Sequence, residues 1–184
     1  MSVTKNLKVV LVSTLCVVWF SACDEITDHF SAISFVDVAT ERTRLINGLE
    51  SYWTIEEAKT KLPSWEVIEQ SSLKPQDRRP PFNIYRVSIK NYVHLGVSGE
   101  LQVKFFNNRL LSTWFYPETF DRYVLLLKDK EGLTFQEGQD GSRDAMIVPH
   151  THVWVYKDYK EQLYIGWEDI RLARELGLWI KRYS

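Results

Sequence analysis

Apolar and polar positions divide the chain into an apolar N-terminal segment and a longer part in which the two alternate. The longest apolar run covers residues 9–20, is interrupted by one Ser-Thr pair and follows two lysines. A positive start, a short apolar run and small residues behind it are typical of a secretory signal peptide. A membrane-spanning helix needs about 20 apolar residues, and a buried core helix would show polar positions at helical spacing. The pattern therefore predicts a signal peptide over residues 1–22.

Alternation of apolar and polar residues predicts an antiparallel meander in the middle of the chain. Odd-numbered positions are mainly apolar over residues 85–97 and again over 101–105, as expected of strands with one buried face. Asn107 and Asn108 mark the next turn, because Asn tolerates left-handed backbone conformations. Residues 109–116 then predict the third strand.

The predicted register joins the first two strands through a three-residue loop of residues 97–99. This loop sets Leu95 opposite Leu101, so that apolar side chains face each other, whereas a two-residue loop would set Leu95 opposite Gln102. A hairpin of this type carries Gly at its left-handed position, so the register predicts a positive φ at Gly99.

Helix signals flank the meander on both sides. Thr54 and Glu57 form a capping box that predicts a short helix at Ile55–Lys61, and residues 65–69 alternate as a further candidate strand. Pro117 is expected at the first position of a second helix, where its missing amide does no harm. The face of this helix that is predicted to pack on the sheet carries Phe120, Tyr123, Val124 and Leu127.

The C-terminal part predicts a loop, a hairpin and a last helix. Residues 128–149 form a long, charged stretch with three glycines, which predicts a functional or mobile loop. Residues 152–156 and 162–167 predict a second hairpin. Residues 168–176 predict a helix that ends at Gly177.

The order of these elements indicates the fold class. Strands follow strands and the helices are set apart, which is typical of an α+β fold. We expect an antiparallel sheet made of a three-stranded meander plus a C-terminal hairpin, with two to three helices packed on one face. Residues 41–184 form this single domain, and residues 23–40 form a tether that precedes it.

The end of the apolar segment carries a more specific signal. Ser21 and Ala22 directly precede Cys23, which resembles the lipobox of bacterial lipoproteins, and Phe20 stands where that family usually has Leu. The resemblance implies that the Cys23 thiol is acylated with diacylglycerol, that residues 1–22 are removed and that Cys23 becomes the N-terminus. Two or three acyl chains suffice for stable anchoring. The expected partner is therefore the lipid bilayer, and the covalent lipid at Cys23 replaces any separate cofactor.

The resemblance also implies a location in the cell envelope, with the domain anchored by lipid and facing the periplasm. Asp24 directly follows the cysteine and resembles the signal that retains lipoproteins at the inner membrane of Gram-negative bacteria. The chain's other cysteine, Cys16, lies in the segment to be removed. The mature protein would then have no free thiol and no disulfide.

Charge argues against a nucleic acid as partner. The formal net charge is −1 for the whole chain and becomes −3 once residues 1–22 and their two lysines are removed. Nucleic-acid-binding domains instead show a clustered basic surface. The polar face of the meander carries Arg86, Lys90, His94 and Lys104, which fit either an ordinary solvated face or a contact with an anionic group.

Few residues suggest metal or catalytic chemistry. His150 and His152 are two positions apart, so on a strand they share a face and could bind one metal ion, although no spacing identifies further ligands. Glu168 and Asp169 are better explained by the dipole of the following helix than by catalysis, since adjacent helical residues do not face each other. The sequence contains no nucleophile elbow, phosphate-binding loop or zinc-peptidase motif.

Trp114 and Tyr116 form the candidate interaction surface. On a strand they share the face opposite to Phe115. If Phe115 belongs to the core, these two aromatic side chains need another cover, which is either a helix of this chain or a partner protein.

Two functions fit these features. A lipid-anchored, aromatic-rich domain favours a non-catalytic binding or assembly module with an envelope protein as partner. The helix and meander of residues 54–116, which contain GELQVKFFNNRLLSTWFYP, resemble the small lipoproteins that accompany the outer-membrane β-barrel assembly machinery. The alternative is a small-ligand-binding or hydrolytic envelope protein with its site under residues 128–149.

Overall fold

The computed structural model describes residues 41–62, 64–137, 143–148 and 150–184. The predicted signal peptide and tether, with Cys23 and Asp24, lie outside the described residues. Among the helices of the described part, none is both long and apolar enough to cross a bilayer. These helices are α1 (Ile55–Lys61), α2 (Phe120–Glu131) and α3 (Ile170–Tyr183).

The strands form one antiparallel sheet that is larger than predicted. They are β1 (Glu66–Ser72), β2 (Asn83–His94), β3 (Val97–Phe106), β4 (Arg109–Pro117), β5 (Gln136–Glu137), β6 (Arg143–Val148), β7 (Thr151–Lys157) and β8 (Leu163–Asp169). Their order across the sheet is β1-β2-β3-β4-β8-β7-β6-β5, with antiparallel neighbours throughout. The predicted α+β class, meander and C-terminal hairpin are confirmed. Pairing of β4 with β8 joins the meander and the hairpin into one sheet.

Residues 128–149 are not a single irregular loop, contrary to the prediction. The first four of them complete α2, and β5 pairs with β6 at one edge of the sheet. β5 has only two residues, which is too short for a pattern of alternation. The local sequence therefore carries no alternation that would predict β5. Residues 138–142 and 149 lie outside the described residues.

The β2–β3 hairpin has a different register from the predicted one. A two-residue turn of Leu95 and Gly96, with φ values of 52° and 74°, pairs His94 with Val97. A bulge at Asn91, which also has a positive φ, restores apolar pairing farther along the strands. The prediction was wrong because it took the alternation of β2 to be unbroken.

The bulge reverses which side chains at the end of β2 face the core. Beyond it, His94 is buried, whereas Val93 is 55% exposed. Gly99 lies inside β3 without a positive φ, so its predicted turn role is wrong. A Cβ at Gly99 would lie 2.3 Å from the Tyr116 carbonyl oxygen and 2.9 Å from the Phe115 ring. Glycine is therefore needed there for close packing.

The helices lie on both faces of the sheet, whereas packing on one face was expected. The first face, with Leu101 and Phe115, is covered by α1 and by α2, whose Tyr123 and Leu127 are buried as predicted. The second face is covered at one end by α3. There, a smaller cluster contains Ile84, Phe106, Leu111 and Leu172.

The capping box of α1 is confirmed, whereas the start of α2 differs from the prediction. The Glu57 amide donates to the Thr54 hydroxyl over 3.1 Å, and the Thr54 amide donates to the Glu57 carboxylate over 2.8 Å. α2 begins at Phe120 rather than at Pro117. Pro117 ends β4 instead, because it pairs with Gly99 of β3.

α3 continues through Gly177, which was predicted to end it. Beyond the glycine, Trp179 is buried against Phe82, with ring centroids 4.2 Å apart. Glycine inside a helix costs about 1 kcal/mol relative to alanine, and burial of a tryptophan side chain outweighs that cost.

Replacement of Gly99 by alanine tests the close packing. We expect Gly99→Ala to lower the free energy of unfolding by about 2 kcal/mol or more, because the added methyl group meets backbone and a packed ring. Urea unfolding of the purified protein, followed by tryptophan fluorescence, measures the change. Gly177→Ala is the matched control and should raise stability by about 1 kcal/mol, since its Cβ meets no atom and alanine favours a helix. A neutral Gly99→Ala would contradict the packing described here.

Candidate functional site

The part of the second face that α3 leaves open contains the candidate site. The strand register arranges its side chains in rows that run across the strands. The first row contains Glu69, Arg86, Lys104, Ser112, Glu168 and His152. The second contains Ser88, Gln102, Trp114, Gly166 and Trp154. The third contains Glu100 and Tyr116 on β3 and β4, and Tyr164 and Tyr156 on β8 and β7, joined by a ring contact between Tyr116 and Tyr164.

Aromatic side chains of the second and third rows form the floor of a groove of about 530 Å³. Tyr164 is at its centre, with ring centroids 5.1 Å from Tyr116, 6.4 Å from Trp114 and 6.5 Å from Tyr156. The turn between β7 and β8 forms a wall, on which Tyr159 is 88% exposed. We call this feature the aromatic groove. In the described part of the chain it is lined by strands and turns, and by no helix residue.

Gly166 allows the aromatic surface to continue beyond the groove onto β7. A Cβ at Gly166 would lie 2.4 Å from Cζ2 of Trp154, so the indole lies flat against the backbone of β8. The His152 ring stacks on Trp154 with centroids 5.2 Å apart. Glycine at this position therefore gives the second face a flat, aromatic centre.

Most charged side chains in the aromatic groove are already paired. Lys90 forms an ion pair with Glu100, which also accepts hydrogen bonds from Ser88 over 2.7 Å and from Gln102 over 2.9 Å. Burial opposes ionisation of Glu100, but these donors lower the pKa of its carboxyl group. Burial raises the pKa of Tyr116 to about 12, so its hydroxyl stays a neutral donor at physiological pH. The groove is thus a neutral, amphipathic surface.

The first row carries charges that are less well paired. Arg86 Nε lies 3.1 Å from Glu69 Oε2, an ion pair without an aligned hydrogen bond. Lys104 is half-buried and has no ion pair or hydrogen bond among the described residues. Both cations approach the Trp114 ring, at 5.4 Å for the Arg86 guanidinium and 5.9 Å for the Lys104 ammonium.

Ser112 lies between Lys104 and Glu168 in this row and is fully buried. Its hydroxyl and the indole N–H of Trp114 have no hydrogen-bond partner among the described residues. Burial lowers the pKa of Lys104 and raises the pKa of Glu168, since desolvation disfavours both charged forms. Buried polar groups in native proteins nearly always have partners. This cluster is therefore unusual within the fold.

The structure brings some predicted site residues together and separates others. Trp114 and Tyr116 share the second face, as predicted. His152 Nε2 lies 2.9 Å from Asp144 Oδ1, whereas the backbone carbonyl of His150 accepts from the Ile170 amide at the start of α3. No group of three or more potential metal ligands occurs among the described residues. Cys23 and Asp24 lie outside them.

Glu168 and Asp169 do not act as a pair. Glu168 lies on the second face within β8, and Asp169 is a fully buried N-cap whose carboxylate accepts from the Arg171 amide over 2.9 Å. Arg86 and Lys104 occupy the polar face predicted for them, but the bulge places His94 in the core. The residues that sequence reasoning missed are Tyr156, Tyr159, Tyr164 and Gly166.

Comparisons of the chain with family models, with curated proteins and with solved structures return no match. The class that the geometry defines is an α+β domain with an uncovered aromatic groove on one face of its sheet. None of the described residues between 128 and 149 lines this groove.

Replacement of Glu168 by glutamine tests whether burial disfavours the ionised form of this carboxyl group. The folded state raises the pKa of Glu168, so its contribution to stability is fully present below the unfolded pKa and is lost as pH rises through the folded pKa. At neutral pH, Glu168→Gln should therefore be more stable than the wild type, by on the order of 1 kcal/mol. The difference should vanish in acid. Thermal unfolding across pH measures it, with exposed Glu118→Gln as control, and a gain that persists in acid would refute the assignment.

Proposed function

We propose that this protein is an envelope lipoprotein, anchored to the membrane through acylated Cys23, whose domain is a non-catalytic binding or assembly module. The partner binds in the aromatic groove of the second face. The segment Ser21-Ala22-Cys23 supports the anchoring, through its resemblance to a lipobox. The uncovered groove supports the binding role.

The observation that carries the binding role is the exposure of aromatic side chains that a core would normally bury. No helix of the described chain covers Trp114 and Tyr116, which lie half-buried on the groove floor. Large aromatic side chains are enriched at the centres of protein interfaces and ligand sites. Ile68, Tyr156 and Tyr159 add exposed apolar area at the same groove.

The paired charges of the groove favour recognition over catalysis. Lys90 with Glu100, and Lys157 with Glu161, are ion pairs that hold their side chains at the groove. Such neutralised rims are typical of contact surfaces, where polar groups give specificity around an apolar centre. The rows run across the strands, so recognition is by side chains rather than by backbone pairing.

The tether gives the domain reach from the bilayer. Residues 23–40, fully extended, span at most about 60 Å. A partner could therefore lie in the same membrane or at some distance above it. Asp24 favours the inner membrane as the site of the anchor.

The anchoring is tested by replacing the cysteine. We expect wild-type protein from membranes to have the mass of a chain that starts at residue 23 and carries acyl groups. Cys23→Ala should be unprocessed or should leave the lipid-anchored fraction, because no thiol remains to be acylated. Intact mass spectrometry with membrane fractionation decides this, and Cys16→Ala is the matched control. A wild type that keeps its N-terminus without lipid would refute the anchor.

The binding role is tested by site-specific photo-crosslinking in intact cells. A photoreactive phenylalanine at Tyr159, which is 88% exposed at the groove, should give discrete adducts. The same group at Leu125, which is 68% exposed on α2 at the other face, should not. Trp114→Ala in the Tyr159-labelled protein should reduce the adducts, because it removes the groove floor. Equal labelling from both positions, or none from Tyr159, would contradict a binding role for the groove.

A further inference from the structure

Four hydrogen-bond donors cluster where the aromatic groove meets the first row. They are the guanidinium of Arg86, the ammonium of Lys104, the hydroxyl of Ser112 and the indole N–H of Trp114. Arg86 and Lys104 lie directly opposite each other on β2 and β3, and Lys104 and Ser112 lie opposite each other on β3 and β4. Both cations lie within 6 Å of the Trp114 ring centroid. We call these four residues the donor cluster.

The donor cluster has too few acceptors within the described chain. Glu69 balances Arg86 at the sheet edge, but Lys104 has no carboxylate within ion-pair distance among the described residues. Ser112 is fully buried, and neither its hydroxyl nor the Trp114 N–H has a partner there. Like charges directly opposite each other on neighbouring strands destabilise a sheet, and unsatisfied buried donors do so as well. Glu69 and Glu168 offset part of this cost by favouring the charged form of Lys104 from a distance, but no described group pairs with it directly.

We propose that the donor cluster binds an oxyanion, the carboxylate or phosphate group of a ligand whose less polar part lies in the aromatic groove. This inference rests on the proposed binding role and names the chemistry of the ligand. An oxyanion supplies acceptor atoms for the Arg86 guanidinium and the Lys104 ammonium, and hydrogen bonds between charged groups are the stronger kind. The Ser112 hydroxyl and the Trp114 indole N–H have almost no exposed surface, so they lie beneath the bound anion. The aromatic rings next to it accommodate a planar or apolar body.

The flanking carboxylates define the limits of the site. Glu69 lies beyond Arg86 on β1, and Glu168 lies beyond Ser112 on β8. Both repel an anion that moves toward them, so the anion is held between Arg86 and Lys104, over Trp114. The neighbouring His152 is already paired with Asp144. The charges around the donor cluster therefore favour one localised oxyanion rather than an extended polyanion.

The test uses the full-length protein with inorganic phosphate and acetate as probes and glycerol as a neutral control. The readout is the NMR chemical shift of the Trp114 indole N–H, assigned by its loss in Trp114→Phe. We expect a saturable shift with phosphate, acetate or both, and none with glycerol. A stronger response to one anion assigns the group as phosphate or as carboxylate.

Lys104→Met keeps most of the apolar stem of the side chain and removes its charge. It should weaken anion binding by about tenfold or more, the usual effect of losing one charge-assisted hydrogen bond. Lys59→Met, in which an ion-paired lysine of α1 on the other face is lost, should bind as the wild type does. Lys104→Met should also unfold at the same or a higher temperature than the wild type, because it removes an unpaired, half-buried charge.

Several outcomes would overturn the inference. They are an indole shift that does not respond to either anion, an equal loss of binding in Lys59→Met, and a Lys104→Met protein that is less stable yet binds anions normally. The last result would make Lys104 a structural residue. Because the crosslinks from Tyr159 do not depend on the probe, discrete crosslinks without anion binding would refute this inference and leave the binding role intact.

Discussion

The buried carboxylate of Asp169 is the interaction on which the rest of the arrangement depends. It is fully buried where β8 ends and α3 begins, and it accepts from the Ser51 hydroxyl over 2.7 Å and from the Arg171 amide and guanidinium. Burial alone would raise the pKa of Asp169, but the donors from Arg171 and Ser51 lower it. A buried charge is tolerated only when it is paired in this way. The pairing fixes both the start of α3 and the position of the chain around Ser51.

Two consequences follow for the candidate site. Because α3 must begin directly after Asp169, its apolar side covers only the end of the second face that carries Phe106 and Leu111. The aromatic groove lies at the other end and stays open. Thr43, near the beginning of the described chain, is held on the sheet because its hydroxyl lies 2.6 Å from that of Thr151. The beginning of the described chain is therefore fixed on the sheet.

Local signals predicted local structure well. The Thr54 capping box gave α1 its bounds, and Asn107 and Asn108 both have positive φ in the turn where they were expected. The register predicted from alternation was wrong beyond Asn91, because a bulge adds a single residue that periodicity does not reveal. The end of α3 was missed because the packing of Trp179 overrides the helix propensity of a glycine. Of these cases, the end of α3 was decided by a contact between residues distant in sequence, Trp179 and Phe82.

The candidate site shows the same division. Trp114 and Tyr116 could be placed on one face from alternation within β4 alone. Tyr164 could not be added, because pairing of β4 with β8 joins residues about fifty positions apart and leaves no local trace. The unpaired state of Lys104 depends on the whole row around it. The sequence thus predicted Trp114 and Tyr116 of the aromatic surface but not Tyr164. It predicted the cations of the donor cluster only as part of a polar face.

The pairing of β4 with β8 also determines the stage of folding at which the aromatic groove forms. Hairpins between neighbouring strands close over short loops, whereas β4 and β8 are separated by α2 and by the β5–β6 and β6–β7 connections. Contacts with a large sequence separation cost more entropy and slow folding. We therefore expect Trp114 and Tyr164 to meet only after both halves of the sheet have formed. The binding surface would then belong only to fully folded molecules, and a chain stalled halfway through folding would present nothing for a partner to engage.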